Sequence, residues 1–119
     1  MIESLDWLRQ SGRVLLFGFV VMPDHFHALL MPTGGALLPD IMKSLKGYSA
    51  REIQRARGAH GPLWQDGYYE RAVRGPKDAW SAKAYIENNP VRAGLVESPE
   101  QYPLSSACLE LMRMAVAIE

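Results

Sequence analysis

The chain has 119 residues, 48% of them hydrophobic, so it can bury a core and falls outside the disordered class. That length favours a single domain over residues 1–119. Thirteen basic residues balance thirteen acidic ones, so net charge selects no class of partner and only the distribution of charge can do so.

Ser4–Gln10 suits a short helix, with Ser4 as cap and Gly12 just beyond its end. The N-terminal stretch MIESLDWLRQSGR lacks the basic-then-apolar pattern of a secretion signal. Val14–Pro32 follows, VLLFGFVVMPDHFHALLMP, in which two apolar runs flank the turn dipeptide Pro23-Asp24. This predicts a β-hairpin with strands near Val14–Met22 and His25–Met31. Val14–Met22 is the longest apolar stretch and is too short to cross a bilayer, so no membrane partner is expected. Side chains alternate along a strand, which puts His25 and His27 on one face, about 7 Å apart along the backbone, and Phe26 on the other. Two imidazoles so placed can converge on one divalent cation, although paired strand histidines are often structural.

After the loop Pro32-Thr33-Gly34-Gly35, apolar residues recur at helical spacing from Leu37 to Arg57, and Gly58 is a plausible stop. Gly47 weakens that helix by about 1 kcal/mol relative to alanine, which admits a kink. Its opposite side carries Lys43, Lys46, Arg51, Arg55 and Arg57 against the single acid Glu52. On pattern alone this is a solvated basic face; the functional alternative is a phosphate-binding one. His60 falls in a second loop. Leu63–Arg74 predicts an irregular stretch and then a strand near Tyr69–Val73. Trp64, Tyr68 and Tyr69 can stack on unpaired bases, though such clusters more often belong to a core or its edge.

Gly75-Pro76 opens a helix that should end near Asn88, because Asn89-Pro90 disfavours continuation. Ala79, Ala82 and Ile86 mark its inward face. Tyr85 and Asn89, four residues apart, are neighbours on the rim. Val91–Val96 can add a further turn. Ser105–Ile118 can form a last helix with Leu109, Met112 and Val116 inward. Cys108 is the only cysteine, so no intramolecular disulfide can form and a reducing cytoplasm fits. Antiparallel strands with helices on one face give an α+β layer.

The residues support phosphate chemistry. Two imidazoles plus the Asn89 amide oxygen leave room on a cation for phosphate oxygens, and Mg²⁺ or Mn²⁺ suits that task. Tyr85 would be the nucleophile. Its phenol, with a reference pKa near 10, must lose a proton as it attacks. An aryl phosphodiester keeps its reactivity, so a free 3′-hydroxyl can later attack it and rejoin strands.

The segments VVMPDHFHALLMP, LKGYSAR, GPLWQDGYYERAVR and AYIENNPVRAGLV, in that order, resemble the IS200-like single-tyrosine (HUH) transposases, above all the REP-associated branch. The resemblance spans about Val14 to Val96. It implies a ferredoxin-like fold and a metal-dependent single-stranded DNA endonuclease and strand transferase acting on hairpin-forming DNA. It implies that His25 and His27 bind the metal, that Asn89 is the third ligand, and that Tyr85 forms a 5′-phosphotyrosyl intermediate. Lys46 and Arg51 match basic positions of the family. With them Lys43, Arg55 and Arg74 are candidate phosphate contacts, and Trp64 is a candidate base platform. Family members carry a strand before the first helix, whereas this chain starts at Met1, almost at that helix. The expected sheet therefore lacks one strand, and its open edge should pair in a homodimer. Two other readings remain. A histidine-triad nucleotide hydrolase needs a further histidine where Leu29 stands. A single-stranded nucleic-acid binding remnant would keep the same sheet, aromatics and basic helix without the chemistry.

Overall fold

The computed structural model describes residues 1–23, 25–58 and 72–118. Its elements in chain order are α1 (Ile2–Gln10), β1 (Val14–Val21), β2 (Phe26–Pro32), α2 (Leu38–Arg57), α3 (Pro76–Glu87) and the short α4 (Asn89–Arg92). Two 3₁₀ turns follow, Pro99–Gln101 and Met112–Met114.

The helix α1 starts earlier than its sequence suggests. Met1 occupies the cap position, and Ser4 is a buried residue inside the helix. The amphipathic pattern outweighs the capping signal here, because Leu5 and Leu8 must both face the hairpin. The end matches expectation. Gly12 takes φ +77°, its N–H donates to the Arg9 carbonyl, and the Arg13 N–H donates to the Leu8 carbonyl. That pair of bonds is a Schellman closure, which turns the chain into β1.

β1 and β2 form an antiparallel hairpin running from Val14 opposite Pro32 to Val21 opposite Phe26. His25 lies just outside the paired strand. The register slips between Leu16 and Gly18, leaving Phe17 as a bulge. The slip matters because side chains alternate with period two. Val14 and Leu16 face the same side as Phe19, and Gly18 and Val20 turn to the other side, opposite Leu29 and His27.

α1 and α2 cover one face of the hairpin. Leu5, Leu8, Val14, Leu16, Phe19, Ile41, Leu45 and Met114 make that core, flanked by Phe26, Ala28 and Leu30. α2 runs unbroken through Gly47 and stops at Gly58 in the left-handed conformation. α3 adds a layer on the other face, where Val20, Met22 and Ile86 form a smaller cluster with Leu29 and Tyr102.

The C-terminal segment corrects the sequence expectation. Ser105–Ile118 is not an α-helix: Leu109 is 82% exposed and Met112 and Val116 are exposed as well, while Met114 alone of its buried apolar side chains joins the core. The segment instead runs along the free edge of β1. Val21 donates to Leu104, Ser106 donates to Phe19, and Val116 donates to Leu16, all through backbone groups. Unpaired ladder groups of a buried strand must find partners, and that demand outweighs local helical propensity. The strand expected near Tyr69–Val73 lies mostly outside the described residues, and 72–74 are not in a strand. No helix among the described residues is long and apolar enough to cross a membrane.

Candidate active site

Two features bring α3 close to β1. Gly18 faces α3, and a Cβ added there would stand 3.1 Å from Lys83 Cγ and 3.6 Å from Ser106 Oγ. Ser106, buried, then ties strand to helix. Its Oγ accepts from the Phe19 N–H at 2.9 Å and donates to Glu87 Oε2 at 2.5 Å. Tyr102 adds a bond from its hydroxyl to the Val21 carbonyl at 2.6 Å, and burial pushes its phenol pKa up. These contacts set where the C-terminal half of α3 sits above β2.

On that face the imidazoles of His25 and His27 meet edge to face, with ring centres 5.1 Å apart and planes 86° apart. Two rings sharing one cation at metal–nitrogen distances of about 2 Å have centres about 5 Å apart, so the spacing suits a shared ion. Burial pulls the His27 imidazole below its ordinary pKa, helped by the positive charges of His25 and Arg92. A neutral imidazole is the form that ligates metals. Among the described residues no group of three or more His, Cys, Asp and Glu side chains could hold a metal. Asn89, the third ligand expected from the sequence, is half-buried at the start of α4.

Asn88, at the junction of α3 and α4, keeps right-handed dihedrals, so the two helices follow one another nearly without interruption. Tyr85, Asn89 and Arg92 stand at offsets of four and seven residues and form one stripe. Tyr85 is 61% exposed. The Arg92 guanidinium lies 3.9 Å over its ring, and Arg92 Nη2 donates to the Tyr85 carbonyl at 2.9 Å. Arg92 is also close enough to His27 for its charge to act on that imidazole. The arrangement gathers a phenol, a guanidinium and an imidazole pair on one accessible face. That set can bind an anionic phosphodiester and present a nucleophile to it.

The remaining sequence candidates stand elsewhere. Lys43, Lys46, Arg51 and Arg55 ride on α2, which packs on the opposite face of the hairpin. Arg55 pairs with Glu52 at 3.1 Å, and Arg51 borders an open cavity of about 520 Å³ with Trp7 and Tyr48. Arg74 is exposed just ahead of α3, and its N–H bonds Asp78 Oδ2. Trp64, with Tyr68, Tyr69 and His60, lies outside the described residues. Sequence reasoning missed Arg92, although its offset of seven from Tyr85 placed it on the same stripe. It also missed Glu87 and Ser106, whose pairing spans 19 residues and has no local signal.

Comparison with known proteins bears on this geometry. The profile of a family described as Transposase IS200 like matches residues 2–89. The chain belongs to the IS200-like transposases. A REP-associated tyrosine transposase of Escherichia coli is 29% identical over 89 residues, covering 74% of this chain and 51% of that protein. A putative REP-associated tyrosine transposase of Haemophilus influenzae is 28% identical over 96 residues, covering 72% and 54%. The ISDra2 transposase TnpA of Deinococcus radiodurans is 54% identical over 33 residues, 28% of this chain and 24% of that one. This IS200-like chain thus spans about half the length of the first two relatives. Its fold matches the solved structure of a REP-associated tyrosine transposase bound to a REP hairpin, with TM-score 0.72 and 24% identity over 98% of this chain and 68% of that one.

Proposed function

We propose that this chain acts as one catalytic domain, a tyrosine transposase that nicks and rejoins single-stranded DNA beside a hairpin. The Tyr85 oxygen attacks the scissile phosphorus as its proton passes to water or a nearby base. The leaving strand departs with a free 3′-hydroxyl, and the 5′-phosphate stays on the tyrosine. Attack by a 3′-hydroxyl on that phosphotyrosine reverses the step and joins strands. His25, His27 and Asn89 would hold Mg²⁺ or Mn²⁺, which when bound supplies Lewis-acid stabilisation of the phosphate charge. Lys43, Lys46, Arg51, Arg55 and Arg74 contact the DNA backbone, and Trp64 stacks on a base. Among the described residues β2 pairs only with β1. We assign its outer edge to a homodimer contact, testable by sedimentation.

The observation that supports this reading most is Arg92 lying over the Tyr85 ring, with its charge acting on His27, in a chain of this family. The test is incubation with a labelled hairpin oligonucleotide and Mn²⁺, followed by mass spectrometry. The wild-type protein should gain the mass of the 5′-phosphorylated strand on Tyr85, and Tyr85→Phe should lose the adduct while still binding the hairpin. Binding without any adduct in the wild type would leave only a single-stranded nucleic-acid binding module.

A further inference from the structure

We infer that Arg92 is a positioning residue for Tyr85, a clamp whose guanidinium holds the phenol ring on the helical stripe beside His27. The inference rests on the transposase reading for its purpose, and on geometry alone for its existence. Tyr85 is 61% exposed, so core packing does not fix its ring. An exposed ring samples several rotamers, and an attacking oxygen that wanders is a poor nucleophile. Arg92 restrains it at two points. The guanidinium lies 3.9 Å over the ring, as a cation on the negative face of the aromatic system. The same group donates Nη2–H to the Tyr85 carbonyl at 2.9 Å.

That carbonyl is available because α3 ends at Glu87, so Tyr85 lies in the last turn, where carbonyls need donors from outside the helix. The near-continuous junction at Asn88 has a second effect. α4 keeps the stripe direction but is only four residues long, and it places Arg92 over the ring it holds. Arginine suits the position better than lysine, because a planar fork can lie flat on the ring and donate from its rim at once.

The test uses Arg92→Met, which keeps length without charge, and Arg92→Lys, which keeps charge without the fork. In the DNA-free protein, ring dynamics of Tyr85 are read by NMR with labelled tyrosine. The wild-type ring should be ordered, the Met variant's ring freely mobile, and the Lys variant's ring intermediate. With saturating hairpin oligonucleotide and Mn²⁺, kcat for phosphotyrosine formation should fall about tenfold or more in Arg92→Met. KM and hairpin affinity should stay unchanged, and Arg92→Lys should recover part of the rate. Equal ring order in wild type and Arg92→Met overturns the clamp. So does a loss of hairpin affinity in step with rate, which would make Arg92 a phosphate contact instead. A wild-type protein that forms no adduct sinks the transposase reading, and the ring measurement then decides on the clamp by itself.

Discussion

The two faces of the β1–β2 hairpin divide the work of the chain. The α1–α2 face buries eight side chains in one cluster, drawn from α1, α2, β1 and the C-terminal segment. Among the described residues the α3 face has a cluster of three, and the same side carries the histidine pair and Tyr85. Burial stabilises by about 1.5–3 kcal/mol per large apolar side chain, so among the described residues the first face contributes more of it. The second is held to it by a few polar bonds and a close glycine approach. On the proposed function, Tyr85 and the histidines need access to solvent and substrate, which a packed core would deny them. Separating the two lets one hairpin serve both needs.

The division is sharpest under truncation of one core residue on each side. Phe19→Ala should cost about 3–5 kcal/mol, because Phe19 is fully buried in the larger cluster. Ile86→Ala on the α3 face should cost about 2 kcal/mol, the low end for such a change, since Ile86 has few buried neighbours. Urea denaturation of both variants checks the order. Equal losses would show that α3 is as deeply involved in stability as α1 and α2.

Ser106→Ala probes the seam between the faces. It removes the acceptor of the Phe19 N–H and the donor to Glu87, both across 19 residues or more. A loss of about 1–3 kcal/mol is expected, from polar groups left without partners. Adduct formation at Tyr85 should fall by more than stability explains, because α3 loses its register over His27. Unchanged turnover at a temperature where the variant stays folded would show that the seam does not position the helix.

Much of this was legible in the sequence, and the failures share one cause. The hairpin, the long helix through Gly47, the helix opened by Gly75-Pro76 and the stops at Gly12 and Gly58 all follow from local chemistry, and all are observed. The pairing of His25 with His27, and the nearness of Tyr85 to Asn89, follow from strand and helix periods. What failed was non-local. The bulge at Phe17 leaves no mark in an unbroken apolar run, yet it decides that Val20 faces α3 while Phe19 faces α1 and α2. Ser105–Ile118 has a helical pattern, but the bare edge of β1 recruits its backbone. The basic residues of α2 are legible as one side of that helix. Nothing local says that it lies across the hairpin from Tyr85.

The smallest expected effect is a difference in acid stability between the two faces. His27 has its pKa lowered by burial first, then by the charges of His25 and Arg92, so the folded state favours the neutral ring. The unfolded chain binds the proton more readily, near the ordinary histidine value of about 6.5. Above that pH both states are neutral and the group contributes nothing. As pH falls below 6.5 the unfolded state gains protons first, so stability declines until the folded imidazole also titrates. Asp6, on the other face, has its pKa lowered by its hydrogen bond from Arg9 and acts in a separate, more acidic window below the ordinary aspartate range. Unfolding curves in chelator, compared for wild type and His27→Gln between pH 7 and pH 5, report the coupled His25–His27 pair, because titrating groups distant from it cancel in the difference. The wild type should lose stability over that range relative to the variant, by a modest margin consistent with a half-buried ring. Parallel curves would mean that His27 is as solvated as a free imidazole, and that the α3 face is more open than its contacts with β2 indicate.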